Sequence, residues 1–287
     1  MTVWRTTRFP IDLAKPRVMG IVNVTPDSFS DGGLHASTRA ALLHCERLIE
    51  DGADILDIGG ESTRPGSPAV SLEEELGRVL PVVREALALG VPISVDTYKP
   101  QIMLAVLDLG ADIINDVWAL RRPGAREAVV GHASCGICLM HMHRDPQTMQ
   151  AAPMDGDVVP PVVAFLAEAA HALRDLGVEA KRIVLDPGIG CGKTVGQNFS
   201  LLARQRALVD LGYPVLAGWS RKSSLGAVTG IESASGRTVP SVAAALLAVE
   251  RGARIVRVHD VRETVAALAV LEAMQLQSLE KQEGKSS

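Results

Sequence analysis

With 287 residues, 47% of them apolar and 22% charged, the chain has the make-up of a folded globular protein rather than a disordered one. A formal charge of −4 provides no basic footprint for nucleic acid, and aromatics at 3% leave little for bases to stack on. Its longest apolar run, Val242 to Val249, falls far short of the roughly 20 residues that span a bilayer, and Met1 to Pro16 has no signal-peptide core, so a cytoplasmic protein without nucleic-acid or membrane partners is expected.

After a lead-in at 1–17, eight short apolar runs each end abruptly on charged or amide residues. They are Val18–Val22 before Asn23, Ile55–Ile58 before Glu61, Ile93–Val95 before Asp96, and Ile113–Ile114 before Asn115 and Asp116. Ile137–Met140 before His141, Ile183–Leu185 before Asp186, Val215–Ala217 before Ser220–Lys222, and Ile255–Val258 before His259 and Asp260 follow. Almost every run precedes a stretch with helical spacing. Strand then helix, repeated eight times, predicts an α/β fold: a single-domain (β/α)8 TIM barrel over 18–276, with a polar tail at 277–287. In that architecture the reacting groups gather at the C-terminal rim of the strands.

Helix boundaries are marked as well. Ser71 with Glu74 forms a capping-box pattern before a helix to Leu89, and Asp260 with Glu263 repeats that spacing before the last helix. Gly52, Gly90, Gly110, Gly177, Gly212 and Gly252 each follow a helical stretch, where a left-handed residue commonly ends it. Four connections are long, 23–36, 59–70, 143–157 and 219–240, and all four follow strands, on the rim.

Two tempting motifs fail. Cys135 and Cys138 lie among His132, His141 and His143, but Cys138 and Met140 alternate with Leu139 along a buried strand, which favours buried thiols over a zinc site. The segment Asp186–Thr194 contains Gly-Cys-Gly-Lys-Thr, yet a P-loop needs glycine where Pro187 stands.

The rim residues divide into two groups. Asp96, Asn115 and Asp186 end three different strands and can all accept hydrogen bonds, which suits a ligand edge rich in N–H donors such as an amino-pyrimidinone; Asp116, facing the other way, reads as structural. Arg64, Arg221, Lys222, Arg257 and His259 form a cationic group. Arg257 interrupts an apolar strand and would be costly to bury without an anion, so the first, seventh and eighth strands are expected to build an anion subsite. In the turn-rich segment Asn23–Gly33, Asn23 with Asp27 or Asp31 offers hard oxygen donors compatible with Mg2+.

Asn23–Gly33 and Gly59–Gly66 resemble the two signature segments of the dihydropteroate synthase family. Ser94–Thr97, Ile114–Val117, Asp186–Gly190, Ser220–Ser223 and Arg257–Asp260 extend the resemblance in the family's order, over roughly 19–274. The resemblance implies a TIM-barrel transferase of folate biosynthesis, a homodimer and sulfonamide target, that joins a dihydropterin pyrophosphate to 4-aminobenzoate. It implies that Asp96, Asn115, Asp186 and Lys222 bind the pterin. Asn23, Thr63, Arg64, Arg257 and His259 would hold the diphosphate, with Mg2+ at Asn23. Phe29, Thr63, Pro65, Cys191 and Ser223 would line the aminobenzoate site. Asn23, Asp96, Asp186, Lys222, Arg257 and His259 would carry the catalysis, in which diphosphate leaves first and the arylamine attacks the pterin cation. Cys191 departs from the family, which usually has an aromatic there, so weaker aminobenzoate binding or altered sulfonamide affinity is expected. The alternatives are a methyltetrahydrofolate–corrinoid methyltransferase, which has little use for Arg257 and His259, and a non-catalytic pterin-binding paralogue.

Overall fold

The computed structural model describes residues 2–25, 33–62, 67, 69–145 and 148–283. A hairpin of β1 (Val3–Arg5) and β2 (Pro10–Asp12) precedes the barrel. The barrel strands are β3 (Arg17–Asn23), β4 (Ile55–Gly59), β5 (Ile93–Asp96), β6 (Ile113–Asp116), β7 (Gly136–Met140), β8 (Ile183–Asp186), β9 (Leu216–Ala217) and β10 (Ile255–Val258). All pair in parallel in the order β8-β7-β6-β5-β4-β3-β10-β9, and a bridge between Leu185 and Val215 joins the two ends. The (β/α)8 barrel expected from the eight runs is the fold, with every strand within two residues of its run.

Around it lie α1 (Gly33–Glu50), α2 (Leu72–Ala86), α3 (Pro100–Leu109), α4 (Ala125–Gly131), α5 (Val159–Asp175), α6 (Val195–Ala203), α7 (Arg206–Val209), α8 (Ser223–Thr229), α9 (Thr238–Glu250) and α10 (Val261–Glu283). Ser71 caps α2 by accepting from the Glu74 N–H at 3.2 Å, and the six expected glycines all have positive φ, from 78° to 103°. Pro240 falls in the first turn of α9, where its missing N–H has no helical partner to lose.

Strand alternation sends one set of side chains outward beneath the helices and the other into the barrel. The inward set forms a floor of Met19, Ile55, Ile113, Cys138, Val184, Leu216 and Ile255, which Trp4, Ile11 and Leu13 of the hairpin segment close from below. Trp4 is fully buried and donates its indole N–H to the Arg182 carbonyl at 2.9 Å. Gly136 makes room for it: a Cβ there would lie 3.0 Å from the indole nitrogen. Two residues further along their strands stand Asp57, Asn115, Asp186 and Arg257, with Met140 the apolar member, so the same alternation that builds the apolar floor lifts a largely polar layer to the mouth.

Three details depart from the sequence expectations. The long connection at 219–240 contains α8, whose seven residues and internal Gly226 hide the helical period. Asp260, expected to cap the last helix, turns its carboxylate to Arg221, accepting at 2.7 and 3.1 Å. Helix α10 continues through Glu283, into the segment expected as a tail. The cysteines pack as expected: Cys138 belongs to the barrel floor, and Cys135 lies against the guanidinium of Arg182.

Candidate active site

Asp96 and Asn115 are register partners on β5 and β6, and Asp186 ends β8; all three are buried at the barrel mouth. Each sits there because an apolar strand stops one residue short of, or on, a polar side chain facing the lumen. Burial, with the charge of Asp57 adding to it, pushes the Asp96 carboxyl up to about 7 against the pull of Arg257. Burial likewise raises Asp186, although the Gly188 N–H at 2.7 Å and the charges of Lys222 and Arg257 oppose the shift. Asp116 turns away and accepts from the N–H groups of Trp118 and Leu120 at 2.8 and 2.7 Å, a turn-forming role.

Arg257 occupies the centre. Its Nε donates to Asp57 at 2.6 Å and its Nη2 to Asp96 at 2.9 Å, while 22% of the side chain stays open towards the mouth. Burial works against this charge, but Asp57 and Asp96 outweigh it and raise the guanidinium pKa above its ordinary value. The anionic partners demanded by a buried arginine are thus supplied by the chain itself. Asp57 is the residue that the sequence reading missed. Fully buried on β4, it also accepts from the Asn115 amide at 3.2 Å through the same oxygen. Its other oxygen, and the Oδ1 of Asp96, have no hydrogen-bond partner among the described residues. The signal was available: one acid inside the run Ile55–Ile58 and one base inside Ile255–Val258.

The ends of β9 and β10 are tied together. The Ser220 hydroxyl accepts from the His259 N–H at 3.0 Å and lies 2.9 Å from His259 Nδ1. The hydroxyl thus holds both the backbone and the ring of His259, fixing the imidazole by its Nδ1 edge. Arg221, grouped with the cations from sequence, forms an ion pair with Asp260. Its backbone, at φ 59°, is held by the Ser241 hydroxyl at 2.8 Å and by Arg237, which donates to its carbonyl at 3.1 Å. This kink precedes Lys222, whose stem packs 3.3 Å from where a Cβ on Gly190 would sit. Half-buried Asn23 ends β3 beside Gly59. Phe29, Thr63, Arg64 and Pro65, with Asp27 and Asp31, lie outside the described residues.

The family described as pterin binding enzyme matches residues 19–259. The dihydropteroate synthase of Neisseria meningitidis serogroup C is 52% identical over 275 residues, covering 95% of this chain and 97% of the relative. That of Escherichia coli K12 is 48% identical over 265 residues, covering 92% and 93%. The chain belongs to the dihydropteroate synthase family. Dihydropteroate synthases also stand among its structural neighbours. The Xanthomonas albilineans structure with 4-aminobenzoic acid has a TM-score of 0.89 at 51% identity, covering 96% of this chain and 99% of its own. The Burkholderia cenocepacia structure complexed with 7,8-dihydropteroate has a TM-score of 0.89 at 50% identity, covering 97% and 98%.

Within this synthase barrel, Cys191 is only 6% exposed and packs with Val117, Met140, Met142 and Met149, alongside Tyr98 and Trp118. Flexible methionines crowd the place where the family usually puts a ring. Ser223, exposed, opens α8 directly after Lys222. A further cluster stands at the base of the segment after β4: Lys99 ion-pairs with Glu61 and Glu75, Tyr98 donates to Glu61 at 2.8 Å, and Arg78 donates to the Gly60 carbonyl at 2.8 Å.

Proposed function

We propose that the chain condenses (7,8-dihydropterin-6-yl)methyl diphosphate with 4-aminobenzoate, giving 7,8-dihydropteroate and diphosphate. The observation that carries this reading is the buried, unpartnered Oδ1 of Asp96, beside Asn115 and Asp186 at the mouth of the barrel. A buried acceptor without a donor is costly, and the N–H edge of a pterin supplies donors. Asp96, Asn115 and Asp186 accept from that edge, and Lys222 donates beside it. Arg257, His259, Asn23, Thr63 and Arg64 bind the diphosphate. Phe29, Thr63, Pro65, Cys191 and Ser223 line the aminobenzoate site. The barrel of residues 18–276 is the unit proposed to carry this activity.

Asn23 presents an amide oxygen at a strand end, a donor that fits Mg2+ when phosphate oxygens and water complete the shell. Bound there, the metal would neutralise charge developing on the departing diphosphate. Departure leaves a pterin-stabilised cation near two carboxylates. At an effective dielectric near 20, a carboxylate about 4 Å from a unit charge contributes on the order of 4 kcal/mol. That is roughly three powers of ten in rate. The arylamine attacks as the neutral amine, so no dedicated base is invoked.

The N. meningitidis and E. coli relatives carry the name of this activity, and a Yersinia pestis dihydropteroate synthase, 42% identical with a TM-score of 0.89, has been solved with a sulfonamide drug complex. Sulfonamides are accordingly proposed as inhibitors. A homodimer is proposed too, supported by the exposed apolar side chains Val239, Leu247, Val270 and Met274 on α9 and α10, and sedimentation would test it. No helix among the described residues is long and apolar enough to cross a membrane, and a cytoplasmic location is proposed. The deciding assay follows diphosphate release with and without aminobenzoate, and with metal chelated. Release and dihydropteroate formation should rise together and fall on chelation; diphosphate release uncoupled from dihydropteroate would overturn the reading.

A further inference from the structure

The glycine-rich segment after β8 holds a cation that the proposed chemistry does not use. Lys193 is 2% exposed, and among the described residues no carboxylate pairs with it. Its ammonium donates instead to the carbonyls of Gly188 at 2.8 Å and Cys191 at 3.1 Å, with the His141 carbonyl at 3.5 Å. The fourth neighbour is His141 Nδ1 at 3.0 Å. Burial pulls the Lys193 pKa down to about 8, so the amine still carries its proton at neutral pH. Burial and then the charge of Lys193 push His141 down to about 3, which leaves the imidazole neutral with Nδ1 free to accept. Phe165 meets that ring edge-on at 5.0 Å between centroids.

Gly188 connects this cation to the binding surface. Its carbonyl takes the lysine, while its N–H goes to Asp186 Oδ1 at 2.7 Å. Both are possible because Gly188 has φ 67°, and any side chain there would run into the His141 carbonyl, with a Cβ only 1.8 Å away. The far side of the loop is fastened as well: Gly190 N–H donates to Asn198 at 2.8 Å, and Asn198 donates to Ser224 at 2.9 Å, next to the residue after Lys222.

We propose that Lys193 is a positioning residue, an internal cation around which the 187–193 loop is wound, with His141 as its neutral acceptor, and that together they aim the Asp186 carboxylate at the pterin. This rests on the synthase reading for the identity of the ligand. It also gives the near-P-loop Gly-Cys-Gly-Lys-Thr a use: the loop turns the carbonyls of Gly188 and Cys191 inward onto the lysine rather than N–H groups outward onto a phosphate. Without the ammonium, the Gly188 carbonyl keeps only the Cys191 N–H at 3.1 Å, the φ and ψ of Gly188 are held less firmly, and Asp186 loses a nearby positive charge along with the fixed aim of the Gly188 N–H.

The test compares Lys193→Met, His141→Leu and His141→Asn with the wild type, well below their melting temperatures. Calorimetry with the dihydropterin diphosphate alone should show binding weakened about tenfold or more in Lys193→Met and severalfold in His141→Leu. His141→Asn, which keeps an acceptor oxygen in place of Nδ1, should bind within about threefold of wild type. Amide hydrogen exchange over 187–192, measured without ligand, should quicken in Lys193→Met and His141→Leu and not in His141→Asn. Wild-type affinity together with wild-type exchange in Lys193→Met, or in His141→Leu if the lysine variant does not fold, would overturn the proposal. A wild-type protein that fails to bind the dihydropterin diphosphate would count against the synthase reading alone, because the exchange comparison needs no ligand.

Discussion

Replacing Asp57 by asparagine tests whether an acid no one strand end advertises holds the centre of the site. Asp57 Oδ2 receives both Arg257 Nε at 2.6 Å and Asn115 Nδ2 at 3.2 Å. The amide keeps the shape and removes the charge. A hydrogen bond to a charged group contributes about 1.5–3 kcal/mol, and stripping one partner from a buried pair costs about 3–5 kcal/mol. Arg257 would keep Asp96 at 2.9 Å and has 22% of its side chain open, so the low end applies, about 2 kcal/mol. For a chain of 287 residues that lowers the melting temperature by about 3 °C. A second effect is more specific. The carboxylate can only accept, so it fixes which end of the Asn115 amide faces it and leaves the oxygen for the ligand. Asparagine at 57 presents donor and acceptor alike and no longer fixes that choice, so affinity for the dihydropterin diphosphate should fall about tenfold. Thermal melting and calorimetry read the two effects separately. An unchanged melting temperature together with unchanged affinity would refute the reasoning.

Asp96→Asn should change the pH dependence of stability in a definite direction. Burial raises native Asp96 above the unfolded carboxyl near 3.9, so the unfolded state gives up this proton first and the group lowers stability as pH rises from there towards the raised native value. The variant should therefore gain on the wild type as pH rises from about 4 to about 7, and parallel denaturation curves would contradict it. Cys191→Phe inserts a ring among Met140, Met142 and Met149; overpacking should cost about 1–3 kcal/mol while KM for aminobenzoate falls severalfold, and an unmoved KM would refute the missing-wall argument. Trp4→Ala removes the plug of the barrel floor and should destabilise by about 3–5 kcal/mol in urea, without altering the pterin affinity of the folded protein.

The barrel was legible because parallel strands buried on both faces read as continuous apolar runs, and a strand that stops on Asp96, Asn115 or Asp186 declares its rim side chain. Supports were harder to read. Asp57 lies inside a run, and its meaning depends on Arg257, two hundred residues away in sequence. His141 ended a run as plainly as Asp186 did, yet its partner Lys193 sits in a segment that resembles a phosphate loop. The lead-in hairpin has only three residues per strand, too few for a period to show before the barrel floor is seen above it. Local pattern identifies residues at strand ends; residues that hold other residues need the register.

The paired acids also change what Arg257 can contribute. Its Nε and Nη2 already face two carboxylates, so the charge it offers a diphosphate is largely offset before the ligand arrives. Its value there is directional, and Lys222 and the metal proposed at Asn23 are the proposed sources of a net positive field. A double-mutant cycle separates the two possibilities. If Arg257 acts as one unit with Asp57, Arg257→Met in an Asp57→Asn background should cost less pterin affinity than it does alone, with a coupling of about 1–3 kcal/mol. If Arg257 instead spends its charge on the diphosphate and Asp57 only tempers it, removing Asp57 should enlarge the effect of losing the arginine. Strict additivity would mean that the 2.6 Å contact carries no energy into binding and that the two residues serve the ligand independently.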